Sequence, residues 1–551
     1  MDYIYAKYKY SNKIKLVRML LVIAIAVTCF VVGGVRIFGH NPDAGAGFRG
    51  YAWFVLIVGG ILVLVVGFFE IYREIPIDKV YPFIAITLGI IYIVLVPAFE
   101  TPDEHDHFNS AYLVSDEYMS TDYNPSIEVD KKYGPVLVRD ARYADAKFPD
   151  TSFPERIDTS QYEAYISSLG NVSSEEDVMV RTTWKSSNEG FIMYYLPAVG
   201  VTFARILNLN FGYVYGFGAL LNVIFYVLMT SYAIRKMPFG KRILFIIALL
   251  PITLQQAASF SYDSGTIACI TVVIAQAFFL KYGDRSTRHN WKWNIEIPFI
   301  KVSVTELLMY VFCGFLLLNV KRGVFLIVFL LPIALCINKK WFTGRGKLIT
   351  IPVIVIAIAG AAAYVVFLGG YAKVVTFLTA VPQDIRGTFG VSGVAPIEYI
   401  NNPGRLFSLI INYVKEEKTH IFNQLGGGVL GFYRIFMSTK IAGFNLVLLL
   451  LSMIRYNKED DRFHVGNRIV SFLIGLAPVV ITFTAMLLYW TYPWDTKVEG
   501  FQGRYIIPTL SIMMLSVGRW QKIRIPNVDN LFIILMTVSS YAGMISVLGF
   551  V

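Results

Sequence analysis

Long apolar runs separated by short polar connections dominate the chain. A membrane-crossing helix needs about 20 mostly apolar residues, within a range of roughly 17–25. About thirteen stretches reach or approach that length. They cover residues 15–37, 52–71, 81–99, 213–234, 243–261, 264–281, 303–319, 323–338, 348–368, 440–456, 469–490, 504–518 and 530–550. The first follows a basic head and has no small-residue cleavage site, which predicts a retained helix. Two long intervals break the pattern, at residues 100–212 and 369–439. Both are tyrosine-rich with short apolar stretches, which predicts that each folds onto the membrane surface. The expected fold class is an all-α polytopic membrane protein with two large loops carrying juxtamembrane helices.

Composition agrees. Of 551 residues, 56% are hydrophobic and only 16% charged, and the mean hydropathy is +0.57. Soluble chains average about 25% charged residues. Soluble, disordered, collagenous and disulfide-scaffold classes are thereby excluded. The net charge of +11 comes with no basic stripe interleaved with aromatics, so nucleic acid is not an expected partner. Cys29, Cys269, Cys313 and Cys336 all lie inside apolar runs, without CxxC spacing. They read as small buried residues and leave the redox compartment undefined.

The basic residues set an expected orientation. Lys7, Lys9, Lys13, Lys15 and Arg18 precede the first run. Alternate connections then carry basic clusters, among them Arg235–Arg242, Lys339–Lys347 and Arg455–Arg468. All fall on one side if the N-terminus is cytoplasmic. Both large loops then lie outside. A crossing at Phe191–Leu209 would move the Arg235 cluster outside, so that stretch predicts a juxtamembrane or re-entrant helix. No internal repeat is evident, which weighs against an inverted-repeat transporter.

The densest chemistry lies in Pro102-Asp103-Glu104-His105-Asp106-His107-Phe108, just beyond the third run. A proline followed by acids suits a helix start, where the dipole favours negative charge. It also suits a general base or a metal site, because proton abstraction needs a partly desolvated carboxylate within reach. Asp103 and Glu104 would point about 100° apart on a helix and need not share one role. His105 and His107 would diverge, which weakens a two-histidine metal site.

Four further motifs fall on the same expected face. Glu499-Gly500-Phe501-Gln502-Gly503-Arg504-Tyr505 places an arginine fork where it can reach a phosphate or simply snorkel. Lys321-Arg322-Gly323 puts two cations on the side that sidedness disfavours; a lipid phosphate or a plain interfacial turn would explain them. Ser259-Phe260-Ser261-Tyr262-Asp263 sits one turn beyond Gln255 and Gln256; Asp263 suits a helix cap or a site wall. Gln424-Leu425-Gly426-Gly427-Gly428 would admit a ligand to the backbone or form a turn, and matches no Walker spacing.

Taken in order, these motifs resemble the DUF2142 family of predicted bacterial membrane proteins. That family in turn resembles the GT-C superfamily of lipid-linked-sugar glycosyltransferases. The likeness runs from about residue 95 onward and includes Tyr195-Leu196-Pro197-Ala198 and Leu250-Pro251. Residues 1–80 then look like two added helices ahead of a core at 81–551. The resemblance implies transfer of a sugar from a polyprenyl-phosphate-linked donor to an extracytoplasmic glycan acceptor, usually with inversion, at the bacterial cytoplasmic membrane. It implies Asp103 or Glu104 as the base, or as ligands, with His107, of a divalent cation such as Mg or Mn. It implies Lys321, Arg322, Arg504 and Tyr505 at the lipid phosphate. His107, Tyr195, Gln256, Tyr262, Asp263, Gln424 and Gln502 would line the substrate site. His105 and Asp106 depart from the proline and small residue of many members.

Three alternatives remain open on sequence. An oligosaccharide ligase or polymerase would use the same groups. A lipid-linked-sugar transporter would need ionisable residues at mid-bilayer; almost none lies deep in the runs, Glu306 being near a span end, which disfavours transport. A structural partner in an envelope complex would tolerate loss of the acidic pair.

Overall fold

The structure is a computed structural model, and it describes residues 2–120, 134–138, 157–170, 178–182, 191–283, 294–297, 300–336, 370–381, 393–431, 433–456, 463–518, 520–523 and 527–551. Helices dominate it. Seven helices among the described residues are long and apolar enough to cross a membrane: Asn12–His40 (within Asp2–His40), Ala46–Tyr72, Ile77–Leu95, Phe211–Lys236, Asp263–Tyr282, Val465–Tyr489 and Val528–Leu548. Their outward faces carry Leu20, Val32, Phe83, Leu228 and Leu473, all exposed. That is the surface expected of helices set in lipid.

The other apolar runs are shorter or broken. Residues 243–261 do not form one helix. Leu250 takes an extended ψ of 139° ahead of Pro251, splitting the run into Lys241–Leu249 and Pro251–Ala257. Proline clashes with a helical residue before it and offers no N–H. The run 323–338 divides into a 3-10 segment, Lys321–Leu330, and Leu331–Cys336. Val304–Leu318, Thr439–Ser452 and Ile507–Val517 are also short of a full crossing. The expected span at 348–368 lies outside the described residues.

Glu306 stands at a helix start. It closes a capping box with Ser303 at the start of Val304–Leu318, and its carboxylate pairs with Lys236 at 2.8 Å.

The helix Asp263–Tyr282 is the most enclosed of the long helices and forms the centre of the bundle. It packs against Phe211–Lys236, Val304–Leu318 and Ile507–Val517. Asp263 therefore opens the central helix. The described parts of both long intervals are largely helical. The first holds Glu104–Met119, Thr159–Gly170 and Tyr195–Ile206, with an antiparallel strand pair of 134–138 and 178–182. The second holds Gly370–Thr379, Pro396–Asn401 and Pro403–Gly426. The stretch expected as juxtamembrane begins as a 3-10 turn, Phe191–Tyr194, and continues as the twelve-residue Tyr195–Ile206.

Tyr195–Ile206 lies close against Phe211–Lys236 because Gly200 faces Phe217. A Cβ at Gly200 would collide with the Phe217 carbonyl, which cannot swing away. Small residues let membrane helices approach in this way. Gly200→Ala is expected to cost about 1–3 kcal/mol through overpacking, read as a lower unfolding temperature in detergent. Gly443→Ala, with no atom within 4 Å of its added methyl, is the matched control and should not lower it. Equal behaviour of the two would contradict the packing.

Candidate functional site

The acidic motif starts a helix, as its proline and acids suggest. Glu104–Met119 begins at Glu104, with Asp103 as its N-cap residue in the left-handed region at φ 61°. Aspartate is among the few residues that tolerate this backbone. The Asp103 carbonyl accepts from the His107 N–H at 3.1 Å, while its carboxylate makes no capping bond.

The two adjacent acids face opposite environments. Glu104 is fully buried. One oxygen accepts from the Tyr215 hydroxyl at 2.5 Å and the Phe260 N–H at 3.2 Å; the other accepts from the Thr101 N–H at 3.1 Å. Burial raises its pKa from 4.5 to about 7, against the opposing pull of these donors. The Asp103 side chain is 60% exposed and meets Arg504 Nη2 at 3.3 Å.

The far end of the acidic helix is also held. Arg205 Nη2 pairs with Asp116 at 2.7 Å, and Nη1 donates to Ser115 Oγ at 2.8 Å. Its guanidinium lies 4.1 Å over the Tyr112 ring.

Asp103 is the first member of a string of alternating charges. Arg504, only 8% exposed, reaches Asp103 with one nitrogen and lies 4.0 Å from Asp263 with another. Asp263 also accepts from Lys321 Nζ at 3.2 Å. The Tyr505 ring sits beside both cations, 4.3 Å from Lys321 Nζ and 5.3 Å from the Arg504 guanidinium carbon. Four distant segments thus supply two carboxylates and two cations to one cluster.

Beside this cluster, His107 Nδ1 bonds the Tyr194 hydroxyl at 2.7 Å, and its ring meets Tyr262 edge-on at 5.0 Å. Burial lowers the His107 pKa, and the nearby Asp103 and Asp263 only partly oppose it.

The second long interval meets the arginine motif through Gln424, whose Oε1 accepts from the Gly503 N–H at 2.6 Å. Gly427, at φ 86°, ends the helix Pro403–Gly426 and lies so close to Pro251 that a Cβ would collide with it. The glycines here terminate a helix and admit a neighbouring helix, as glycine commonly does at a helix C-terminus. Gln502 contributes its carbonyl, accepting from the Tyr505 N–H at 3.1 Å, and so starts the turn that carries Arg504.

Other expected site residues stand apart. Tyr195 is 37% exposed and contacts Tyr118, at the far end of the acidic helix. Its neighbour Tyr194 is the one that reaches His107. Gln256 is fully buried, and its side-chain oxygen and nitrogen have no hydrogen-bond partner among the described residues. The Arg322 side chain lies outside what the structure describes.

Asp103, Glu104 and His107 do not converge on one cation. Both Glu104 oxygens face Tyr215, Phe260 and Thr101, and His107 is turned to Tyr194. Among the described residues no group of three or more His, Cys, Asp or Glu side chains is placed to hold a metal ion.

Four residues of the site and its supports were missed in the sequence. Tyr215 and Tyr194 sit inside apolar stretches, where a tyrosine reads as core. Glu100 and Arg434 form a buried pair at 2.6 Å that ties the first long interval to the second. The one available signal was the lone charge of Arg434 in an otherwise apolar neighbourhood. Burial pushes the Glu100 pKa up to about 6, with Arg434 opposing.

Chemically, the cluster offers one solvent-facing carboxylate beside two cations that are held in place. The buried Glu104 beneath it makes a pH prediction. Its folded pKa lies above its unfolded value, so the folded state binds more protons between pH 4.5 and 7. Its contribution is complete below pH 4.5 and is lost as pH rises toward 7. Glu104→Gln should flatten the fall in unfolding temperature between pH 5 and 7. Parallel slopes in the two proteins would contradict the assignment.

Comparison with known families matches residues 86–513 to the family described as "Predicted membrane protein (DUF2142)". No curated protein and no solved structure matches the chain. The match spans the acidic motif, the central helix and the arginine motif, and covers most of the chain: this protein belongs to the DUF2142 family of membrane proteins.

Proposed function

We propose that the chain is a membrane glycosyltransferase with a GT-C-like architecture of about thirteen crossings. It moves a sugar from a polyprenyl-phosphate-linked donor to a cell-wall or surface glycan, with inversion at the anomeric carbon. The N-terminus lies in the bacterial cytoplasm and the charge cluster on the outer face. One observation carries this reading. The exposed Asp103 carboxylate lies 3.3 Å from Arg504, which shares Asp263 with Lys321. A proton acceptor stands directly beside an anion-binding pair.

The chemistry follows from that juxtaposition. Asp103 takes the proton from an acceptor hydroxyl, and the O–H electron pair stays on oxygen. That oxygen forms the new bond to the anomeric carbon from the face opposite the phosphate. The bond from carbon to the phosphate oxygen breaks, and its electrons leave with the phosphate. Arg504 and Lys321 stabilise the charge that develops there. The leaving phosphate needs no protein acid. Glu104 holds the helix start and does not touch the reacting atoms; it is a positioning residue. Gln424 positions the arginine turn through Gly503.

The test is turnover by purified protein in lipid with polyprenyl-phosphate-linked hexoses. Asp103→Asn should lower the rate by about 10²–10⁴-fold, the usual span for a general base, with unfolding temperature unchanged. Glu104→Gln should lower it less and shift the unfolding profile. Full activity in Asp103→Asn would remove Asp103 from the chemistry and sink this reading.

A further inference from the structure

The two carboxylates that serve Arg504 differ in kind. Asp263 is 11% exposed and lies near both cations, 3.2 Å from Lys321 and 4.0 Å from Arg504. It is the fixed counter-ion of the site. The Asp103 carboxylate is 60% exposed, makes no capping bond, and meets Arg504 through one nitrogen only. Ion pairs screened by solvent are weak. Releasing Asp103 requires only a side-chain rotation, because the backbone beneath it is held by the three bonds to Glu104.

Arg504 also has unused capacity. Its Nε is buried without a hydrogen-bond partner among the described residues. With Asp103 in place, two cations face two carboxylates. With Asp103 swung away, the site carries one net positive charge. A phosphate ester matches that charge, and its oxygens suit a planar guanidinium fork better than one carboxylate oxygen held through a single nitrogen.

Resting on the glycosyltransferase reading, we infer that the Asp103–Arg504 pair is an exchangeable latch: an arriving phosphate ester replaces Asp103 on Arg504, and the displaced carboxylate becomes the working base. The base is thus armed only when the leaving group is seated. Free of the guanidinium, both carboxylate oxygens are open to an acceptor hydroxyl. A bound acceptor meets an idle Asp103 until the donor phosphate arrives, which guards against unproductive chemistry.

The latch makes an inverted prediction about binding. A residue that holds the phosphate weakens binding when lost; a residue that competes with it strengthens binding. Asp103→Asn suits the test because asparagine also tolerates the left-handed backbone at φ 61°. Binding of a polyprenyl monophosphate would be measured on the full chain in phosphatidylcholine nanodiscs. Parallel arms would use inorganic phosphate and phosphatidic acid. Asp103→Asn should tighten polyprenyl phosphate by about two- to fivefold, the factor that one weak surface ion pair supports. Arg504→Gln should abolish binding. Asp103→Gly repeats the test without an amide that could find its own partner. Tightening confined to the polyprenyl arm assigns the latch to the lipid carrier. Tightening in all arms assigns it to phosphate in general. Unchanged or weaker binding in both Asp103 variants overturns the latch, while wild-type binding would leave the phosphate reading standing. Failure of wild type and both variants to bind any arm would overturn the latch and the phosphate reading together.

Discussion

A buried carboxylate must find donors, and the site is organised around how Glu104 finds them. Its two oxygens draw on three places: the Thr101 amide just before it, the Tyr215 hydroxyl on a long helix, and the Phe260 amide at the corner before the central helix. An unpaired buried acid costs far more than a paired one. Satisfying this one residue therefore brings the acidic helix, the helix Phe211–Lys236 and the start of Asp263–Tyr282 to a common point.

The consequence falls on the neighbouring residue. With Glu104 turned inward, the left-handed Asp103 must turn outward, and Phe260 brings Asp263 within reach of the same space. Arg504 then bridges Asp103 and Asp263, and Lys321 closes the string. The arginine is held from behind by Gln424 on Gly503, and the second long interval is itself tied to the first by Glu100 and Arg434. Rigid backbone support under an exposed carboxylate suits a proton acceptor, since it limits the search to side-chain rotation.

Parts of this were readable from the chain. Long apolar runs located the seven long helices, and a proline followed by acids marked the start of the acidic helix. Two adjacent acids on a helix were expected to diverge, and they do. Composition alone does not reveal the break that Pro251 imposes within the run 243–261. Nor does it separate the 3-10 segment in the run 323–338 from an α-helix. Tyr215 was invisible because its bond to Glu104 joins residues 111 positions apart, and nothing local marks a tyrosine as a donor. The resemblance motif begins at Tyr195, whereas its neighbour Tyr194 reaches His107, because adjacent residues do not share a direction. The glycines after Gln424 were read as a ligand approach or a turn; close packing on Pro251 shows them ending a helix.

The central claim is a division of labour between adjacent acids: Glu104 anchors, Asp103 works. Carboxyl footprinting tests it without assuming any substrate. The folded protein would be treated with a water-soluble carbodiimide and an amine, and the two residues separated by fragment mass spectrometry. The account predicts rapid labelling of Asp103 and protection of Glu104 until the protein unfolds. Labelling of Glu104 at a rate equal to or above that of Asp103 would contradict it.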